Sequence, residues 1–338
     1  MPHQTRISGQ YPIISSMGIS GLHSEAKLTG PGVVTGRYGT IGQVFYSEEP
    51  YWPLNTTLYV SDFKGNHPKF SYYLLKNMNL ETYSDKSAVP GINRNHVHEE
   101  TILIPERFGE QENIAEILSS FDDKIQLLQQ QNKTLDGMAS ALFHHHILES
   151  EVWVERPLDE VATFLNGLAL QKFPPNGGKT LNAIKIRELN QGITENTEVC
   201  GDHLPDKYIV DSGDILFSWS GSLQIVLWAH GRGALNQHLF KVYSDHYPKW
   251  FIYLATKHHL PEFRQIAESK ATTMGHIQRQ HLTEAMIPCP PIETLQELNK
   301  IFDPLLAKII DNNAQILILI KTRDNILPKL MSGEVRLA

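Results

Sequence analysis

The residues most suggestive of chemistry in this 338-residue sequence are His144-His145-His146, because imidazole is the commonest metal ligand. Neighbours on a helix point about 100° apart, so three in a row do not converge on one ion. No Asp, Glu or Cys set accompanies them, and the run reads as a solvated helix end. Pro174-Pro175-Asn176-Gly177-Gly178-Lys179-Thr180 ends like a phosphate-binding loop. The first glycine of that motif would fall at Phe173, however, and no strand-loop-helix frame surrounds it, so a surface turn is expected. A methyl-donor or dinucleotide site needs a glycine-rich loop that opens a helix. The flanks of Gly36-Arg37-Tyr38-Gly39-Thr40-Ile41-Gly42 read as strand, which predicts a tight hairpin. Pro205-Asp206-Lys207 offers one carboxylate where metal-dependent cleavage needs several. The two cysteines, Cys200 and Cys289, lack paired spacing and are expected to be buried free thiols. No cofactor, metal or catalytic constellation is expected, and the chain reads as a non-enzyme.

The elements that position side chains come in two copies. Gly32-Val33-Val34 matches Gly213-Asp214-Ile215, and Asn55-Thr56-Thr57-Leu58-Tyr59-Val60 matches Asn236-Gln237-His238-Leu239-Phe240-Lys241, both at an offset of 181. Ile114 to Leu135 matches Leu298 to Leu319 at an offset of 184. At the first offset Met1 falls near Asn182, which leaves residues 151–181 without an N-terminal counterpart and the first globular copy short at its front. Each copy starts with β-rich runs, 31–46 and 54–60 or 213–228 and 238–243, and adds a helix near 69–76 or 249–257. The fold class is α+β, without βαβ alternation.

Each copy ends in a helix of another kind. Ile114, Leu118, Phe121, Ile125, Leu128, Asn132, Leu135, Ala139 and Leu142 alternate by four and three, as does the series Leu298, Phe302, Leu305, Ile309, Asn312, Ile316, Leu319, Arg323, Ile326 and Leu330. These are coiled-coil seams with polar interruptions that would pin their register. The intervening globular copy returns the chain, so the two stripes suit an antiparallel pair. About 30 helical residues make a rod of roughly 45 Å. The expected division is 1–107, 108–150, 151–292 and 293–338.

Of the chain, 41% is hydrophobic and 20% charged, so it can bury a large core. Its densest aliphatic run, Ile316 to Ile320, is far short of the roughly 20 residues that span a bilayer, and a cytoplasmic protein without membrane contact is expected. The formal charge of −7 argues at first against polynucleotides. By segment the net is 0, −5, −2 and 0, so most of the acidic excess lies in 108–150, and the globular copies are nearly neutral. A basic partner would then supply phosphate contacts.

Polar and cationic residues lie beside turns in both copies: Arg37, Tyr38, Lys86, Ser87, Asn93 and Arg94 in the first, and Ser218, Trp219, Ser220, Lys270, Thr272, Thr273, His276, Gln278 and Arg279 in the second. These are the types that base edges and phosphates require. Asn55 and Asn236, set between apolar runs, are expected to make structural hydrogen bonds.

GPGVVTGRYGTIGQVFY at 30–46, WPLNTTLYV at 52–60, IAEILSSFDDKIQLLQQQNKTLDGMASALF at 114–143 and LPKLMSGEVRL at 327–337 resemble the specificity subunits of Type I restriction-modification systems. The resemblance implies two mixed α/β target-recognition domains held on two long antiparallel conserved helices. Each domain would read half of a bipartite double-stranded DNA sequence, and the helices would act as a ruler for the unread gap. It also implies two methyltransferase subunits, which carry the adenine chemistry, and two restriction and translocase subunits. Glu116, Asp122, Asp123 and Asp136 are the expected partner-docking face. A coiled-coil adaptor that binds proteins through its globular copies is the competing reading.

Overall fold

A computed structural model of the chain describes residues 6–84, 91–269 and 275–336. It divides into unit 1, residues 1–125 with 319–338, and unit 2, residues 126–318. Helix α3 (Phe108–Phe143) and helix α9 (Ile292–Met331) each contribute to both units.

Unit 1 contains β1 (Tyr11–Ser15), β2 (Gly18–His23), β3 (Gly32–Gly36), β4 (Val44–Ser47), β5 (Trp52–Pro53) and β6 (Thr57–Tyr59), then helices α1 (Pro68–Asn77) and α2 (Arg94–Glu99). The glycine-rich run 36–42 is the turn of the antiparallel β3–β4 hairpin, as expected. The sheet orders are β2-β1-β5 and β4-β3-β6. Helix α1 starts where His67 Nδ1 accepts from the Phe70 amide and Pro68 presets the first turn. It buries Phe70 and Tyr73 against Ile114, Ala115 and Leu118 of α3 and Leu327, Leu330 and Met331 of α9.

Unit 2 contains β7 (Val154–Pro157), α4 (Leu158–Val161), β8 (Thr163–Asn166), β9 (Thr180–Ile184), α5 (Ile186–Gln191), β10 (Val199–Gly201), β11 (Ile209–Val210), β12 (Ile215–Ser218), β13 (Ile225–Leu227), β14 (Gly233–Leu235) and β15 (Leu239–Tyr243). Helices α6 (Lys249–His258), α7 (Leu260–Ser269) and α8 (Arg279–Glu284) and strand β16 (Met286–Cys289) follow. Its sheets run β10-β9-β14-β11 and β13-β12-β15-β8, with β16 paired to β7. Gly177 to Lys179 lead into strand β9 rather than a helix, so this run lacks the frame of a phosphate loop.

The repeat is present, but its registration differs from the sequence match. Thr35 opposite Leu58 corresponds to Phe217 opposite Phe240, and the Arg37 amide bond to Thr56 corresponds to that of Trp219 to His238; both fix the strand offset at 182. Gln237 is therefore the counterpart of Asn55. At the front, Ile13 beside Trp52 corresponds to Ala183 beside Ala234, an offset of 170 for β1. Ile13 therefore registers with Ala183, not with the residue 181 positions further on, so the sequence match misplaces the front of the copy. The error arose because β1 to Leu28 is twelve residues shorter than β9 to Val210.

The heptad stripes lie on α3 and α9, which run antiparallel: Asp122 meets Arg323, and ten residues on Asn132 meets Asn313. The buried seam matches the expectation, except that Phe143 is buried more fully than Leu142, Leu306 more fully than Leu305, and Leu327 more fully than Ile326. Asn312 is fully buried. Its Nδ2 donates to Asn132 Oδ1 over 2.9 Å, while its Oδ1 has no partner. An unpartnered buried acceptor costs about 1–3 kcal/mol. Asn312→Leu is therefore expected to raise the melting temperature, because Asn132 keeps its bond to Asn313; a lowered one would show that the polar seam stabilises the pair.

Candidate nucleic-acid interface

In unit 2, the ends of β8 and β12 and the start of β15 lie at one end of a sheet, because Ser218 pairs with Leu239 and Asn166 with Phe240. The fully buried Ser218 donates through Oγ to the Ser222 carbonyl (2.6 Å) and accepts from the Gln224 amide, closing the β12–β13 turn. That turn presents Trp219. Its indole nitrogen donates to Asn166 Oδ1 over 3.0 Å, and its ring lies 5.9 Å from both His238 and Phe240 and 6.3 Å from His276. Ser220 is buried, with Oγ 3.1 Å from His238 Nδ1. Segment 275–279 is tied alongside by the Ile277 amide on the Trp219 carbonyl (3.0 Å) and the Gly221 amide on the Gly275 carbonyl (2.9 Å).

His276, Gln278 and Arg279 are exposed along this segment. The Arg279 guanidinium stands 5.8 Å over the Phe240 ring and donates to the Phe164 carbonyl, which fixes its plane while leaving other donors open. Asn166, Trp219, Phe240 and residues 276–279 line a shallow pocket of about 320 Å³. Lys270, Thr272 and Thr273 lie outside the described residues.

Unit 1 repeats the backbone frame. The Arg37 amide donates to the Thr56 carbonyl (2.8 Å) and the Ile92 amide to the Arg37 carbonyl (3.0 Å), so Arg37 occupies the place of Trp219. Arg37 and Tyr38 are both exposed, with the guanidinium 4.8 Å over the phenol ring. Tyr38 bridges to Gly91, where a Cβ would come within 2.7 Å of the Tyr38 ring, so a larger residue there would push that exposed ring aside. Asn93 caps α2 by accepting from the Asn95 amide, and Arg94 is exposed. Lys86 and Ser87 lie outside the described residues.

Asn166, Gln237 and His238 were missed by the sequence reading, although their places in the repeat, at the end of β8 and before β15, could have raised them. Asn236 is buried and accepts from the His238 amide, the structural role expected of it; Asn55 is exposed.

The acidic candidates divide. Glu116 and Asp123 are exposed on α3. Asp122 pairs with Arg323 and accepts from the Tyr73 hydroxyl (2.7 Å), and Asp136 pairs with Lys257 and accepts from Tyr253 (3.2 Å). These two carboxylates tether the helices of each unit to the seam. Burial, with Asp122 next, pushes the Tyr73 hydroxyl far above its ordinary range, so it remains a donor. Asp122→Ala is expected to cost about 3–5 kcal/mol by leaving Arg323 half-paired, which denaturant unfolding would detect; a change below 1 kcal/mol would show that Asp324 alone satisfies it.

His144 and His145 both contact Glu149, and among the described residues no group of His, Cys, Asp or Glu is placed to hold a metal. Burial pushes both cysteine thiols up, away from reactivity. No helix among the described residues is long and apolar enough to cross a membrane.

Two α/β units with the same hairpin end, each presenting cationic and aromatic side chains and sharing a long helix pair, have the architecture of a two-domain nucleic-acid reader. The chain belongs to the family of the Type I restriction modification DNA specificity domain, whose model matches residues 3–136 and again 150–322. The Type I restriction enzyme MjaIX specificity subunit of Methanocaldococcus jannaschii is 26% identical over 302 residues, covering 79% of this chain and 69% of that protein. The EcoBI specificity subunit of Escherichia coli is 28% identical over 167 residues, 48% of this chain and 34% of its own length. The crystal structure of the Type I restriction-modification S subunit from M. genitalium shares the fold, with a TM-score of 0.59 at 16% identity over 98% of this chain and 91% of that one. Specificity subunits recognise DNA and have no catalysis of their own, and this is such a subunit.

Proposed function

We propose that the chain reads a bipartite double-stranded DNA target, one half with each unit, and directs two methyltransferase subunits and two restriction and translocase subunits to it. The observation that carries this reading is the shared backbone frame, which presents Arg37 and Tyr38 in unit 1 and Trp219 in unit 2. Arg37, Tyr38, Asn93 and Arg94 then contact one half-site, as do Lys86 and Ser87. Trp219, His276, Gln278 and Arg279 contact the other, as do Lys270, Thr272 and Thr273; Ser218 and Ser220 hold the turn that carries Trp219. Residues 1–107 and 151–292 are the target-recognition domains, and 108–150 and 293–338 are the helical segments. On those segments Glu116 and Asp123 are docking points for the methyltransferase, while Asp122 and Asp136 hold the internal tethers. The protein works in the cytoplasm, beside its DNA.

A charge of −7 makes the isolated chain a weak DNA binder, because phosphate contacts supply most non-specific affinity. Co-expression with the methyltransferase subunit and mapping of methylated adenines tests the proposal. A two-part motif with a fixed gap is expected. A single half-motif would restrict reading to one unit, and methylation without sequence preference would overturn the proposal.

A further inference from the structure

In unit 2 the polar atoms around Trp219 are committed to one another. The Trp219 indole nitrogen donates to Asn166 Oδ1 over 3.0 Å, Ser220 Oγ lies 3.1 Å from His238 Nδ1, and Ser218 Oγ is bound to the Ser222 carbonyl. The indole has no other donor, so what Trp219 can still offer a ligand is carbon. Its ring lines the shallow cavity of about 320 Å³ together with the buried Phe240 and Ile277, and Asn166 lines it beside them. The bond to the indole fixes which way the Asn166 amide is turned. Its acceptor is spent there, and among the described residues Nδ2 has no partner. The site thus sets an amide donor beside an apolar surface, with the exposed Gln278 and Arg279 also in the lining.

In the major groove each base offers its own pattern. Thymine alone shows an acceptor, O4, beside a methyl group; cytosine offers an amino donor, adenine a donor and an acceptor, and guanine two acceptors. A donor next to an apolar surface complements thymine, and the same donor opposes the cytosine amino group. We propose that Asn166 and Trp219 form a thymine-reading site, in which Asn166 Nδ2 donates to O4 and the C5-methyl group packs into the cavity against Trp219 and Phe240. This assignment rests on the reading of one half-site by unit 2 and names a base within it. Unit 1 carries Arg37 at the place of Trp219, a charged donor where unit 2 has an apolar ring, so the thymine preference belongs to unit 2.

The probe is a set of labelled duplexes carrying the motif mapped with the partner methyltransferase, each with one thymine replaced by deoxyuracil, which deletes only the methyl group. Titrated with the complex of the full chain and the methyltransferase, one of them is expected to bind about fourfold more weakly, the worth of one buried methyl group. A C·G pair at that position should cost roughly tenfold or more, and 5-methylcytosine in place of its cytosine should recover about fourfold. Trp219→Ala should bind the thymine and deoxyuracil duplexes equally, while base changes in the other half-site keep their effect. If no single deoxyuracil weakens binding, or if its penalty persists undiminished in Trp219→Ala, the thymine assignment is overturned while sequence-specific reading stands. Binding without sequence preference would overturn the reading itself.

Discussion

Arg279→Ala is expected to weaken binding to the half-site read by unit 2 by about 1–3 kcal/mol, roughly five- to over a hundredfold, and to relax selection at one base position. The size follows from how the guanidinium is held. The Phe240 face beneath it and the Phe164 carbonyl at Nη2 fix a planar fork, so little rotamer freedom is lost when it meets the paired acceptors of a guanine. Arg279→Lys keeps the charge but removes the fork, so it separates the two possible contacts. If Arg279 reads a base, both variants lose selectivity, and methylation mapping with the partner methyltransferase will show a degenerate position. Equal weakening on every sequence, rescued by lysine, would instead mean a phosphate contact.

Trp250→Ala is expected to destabilise unit 2 by about 3–5 kcal/mol, the usual cost of deleting a buried tryptophan. Trp250 is fully buried, its ring stacks on Phe302 of α9 at 4.1 Å and 10°, and its indole nitrogen donates to Asn299 over 2.7 Å. Truncation removes the stack, opens a cavity and leaves Asn299 without its donor. At about 2–4 °C per kcal/mol for a unit of this size, calorimetry should record a fall of roughly 6–20 °C in the transition that contains unit 2. A fall under 3 °C would mean that α6 does not depend on this anchor. Trp250→Phe, which keeps the stack and loses only the hydrogen bond, is expected to recover most of the difference.

The long helices were legible because a seam of four and three is a local pattern, and Ile114 through Leu142 display it without tertiary information. The tandem plan was legible for the same reason, through Val33-Val34 and Leu58. Its registration was not, since residue identity fixes a strand to within a position or two, whereas the hydrogen bonds of Arg37 and Trp219 fix it absolutely. Asp122 and Asp136 looked like free surface acids because their partners, Arg323 and Lys257, lie more than a hundred residues away in sequence. Trp219, His276, Gln278 and Arg279 were raised as candidates from composition beside turns, and the fold brings them to one end of a sheet. Asn166 and His238 were not, because only the fold brings four separate stretches to one end of a sheet.

The frame that presents these side chains is made of main-chain bonds: Arg37 to Thr56, Ile92 to Arg37, and their equivalents at Trp219 and Ile277. A peptide group offers the same donor and acceptor whichever residue carries it. Mutational drift can therefore replace arginine by tryptophan at this place without disturbing the scaffold, as the two halves of this one molecule already illustrate. The side chains at this place are therefore free to vary while the scaffold that carries them stays the same.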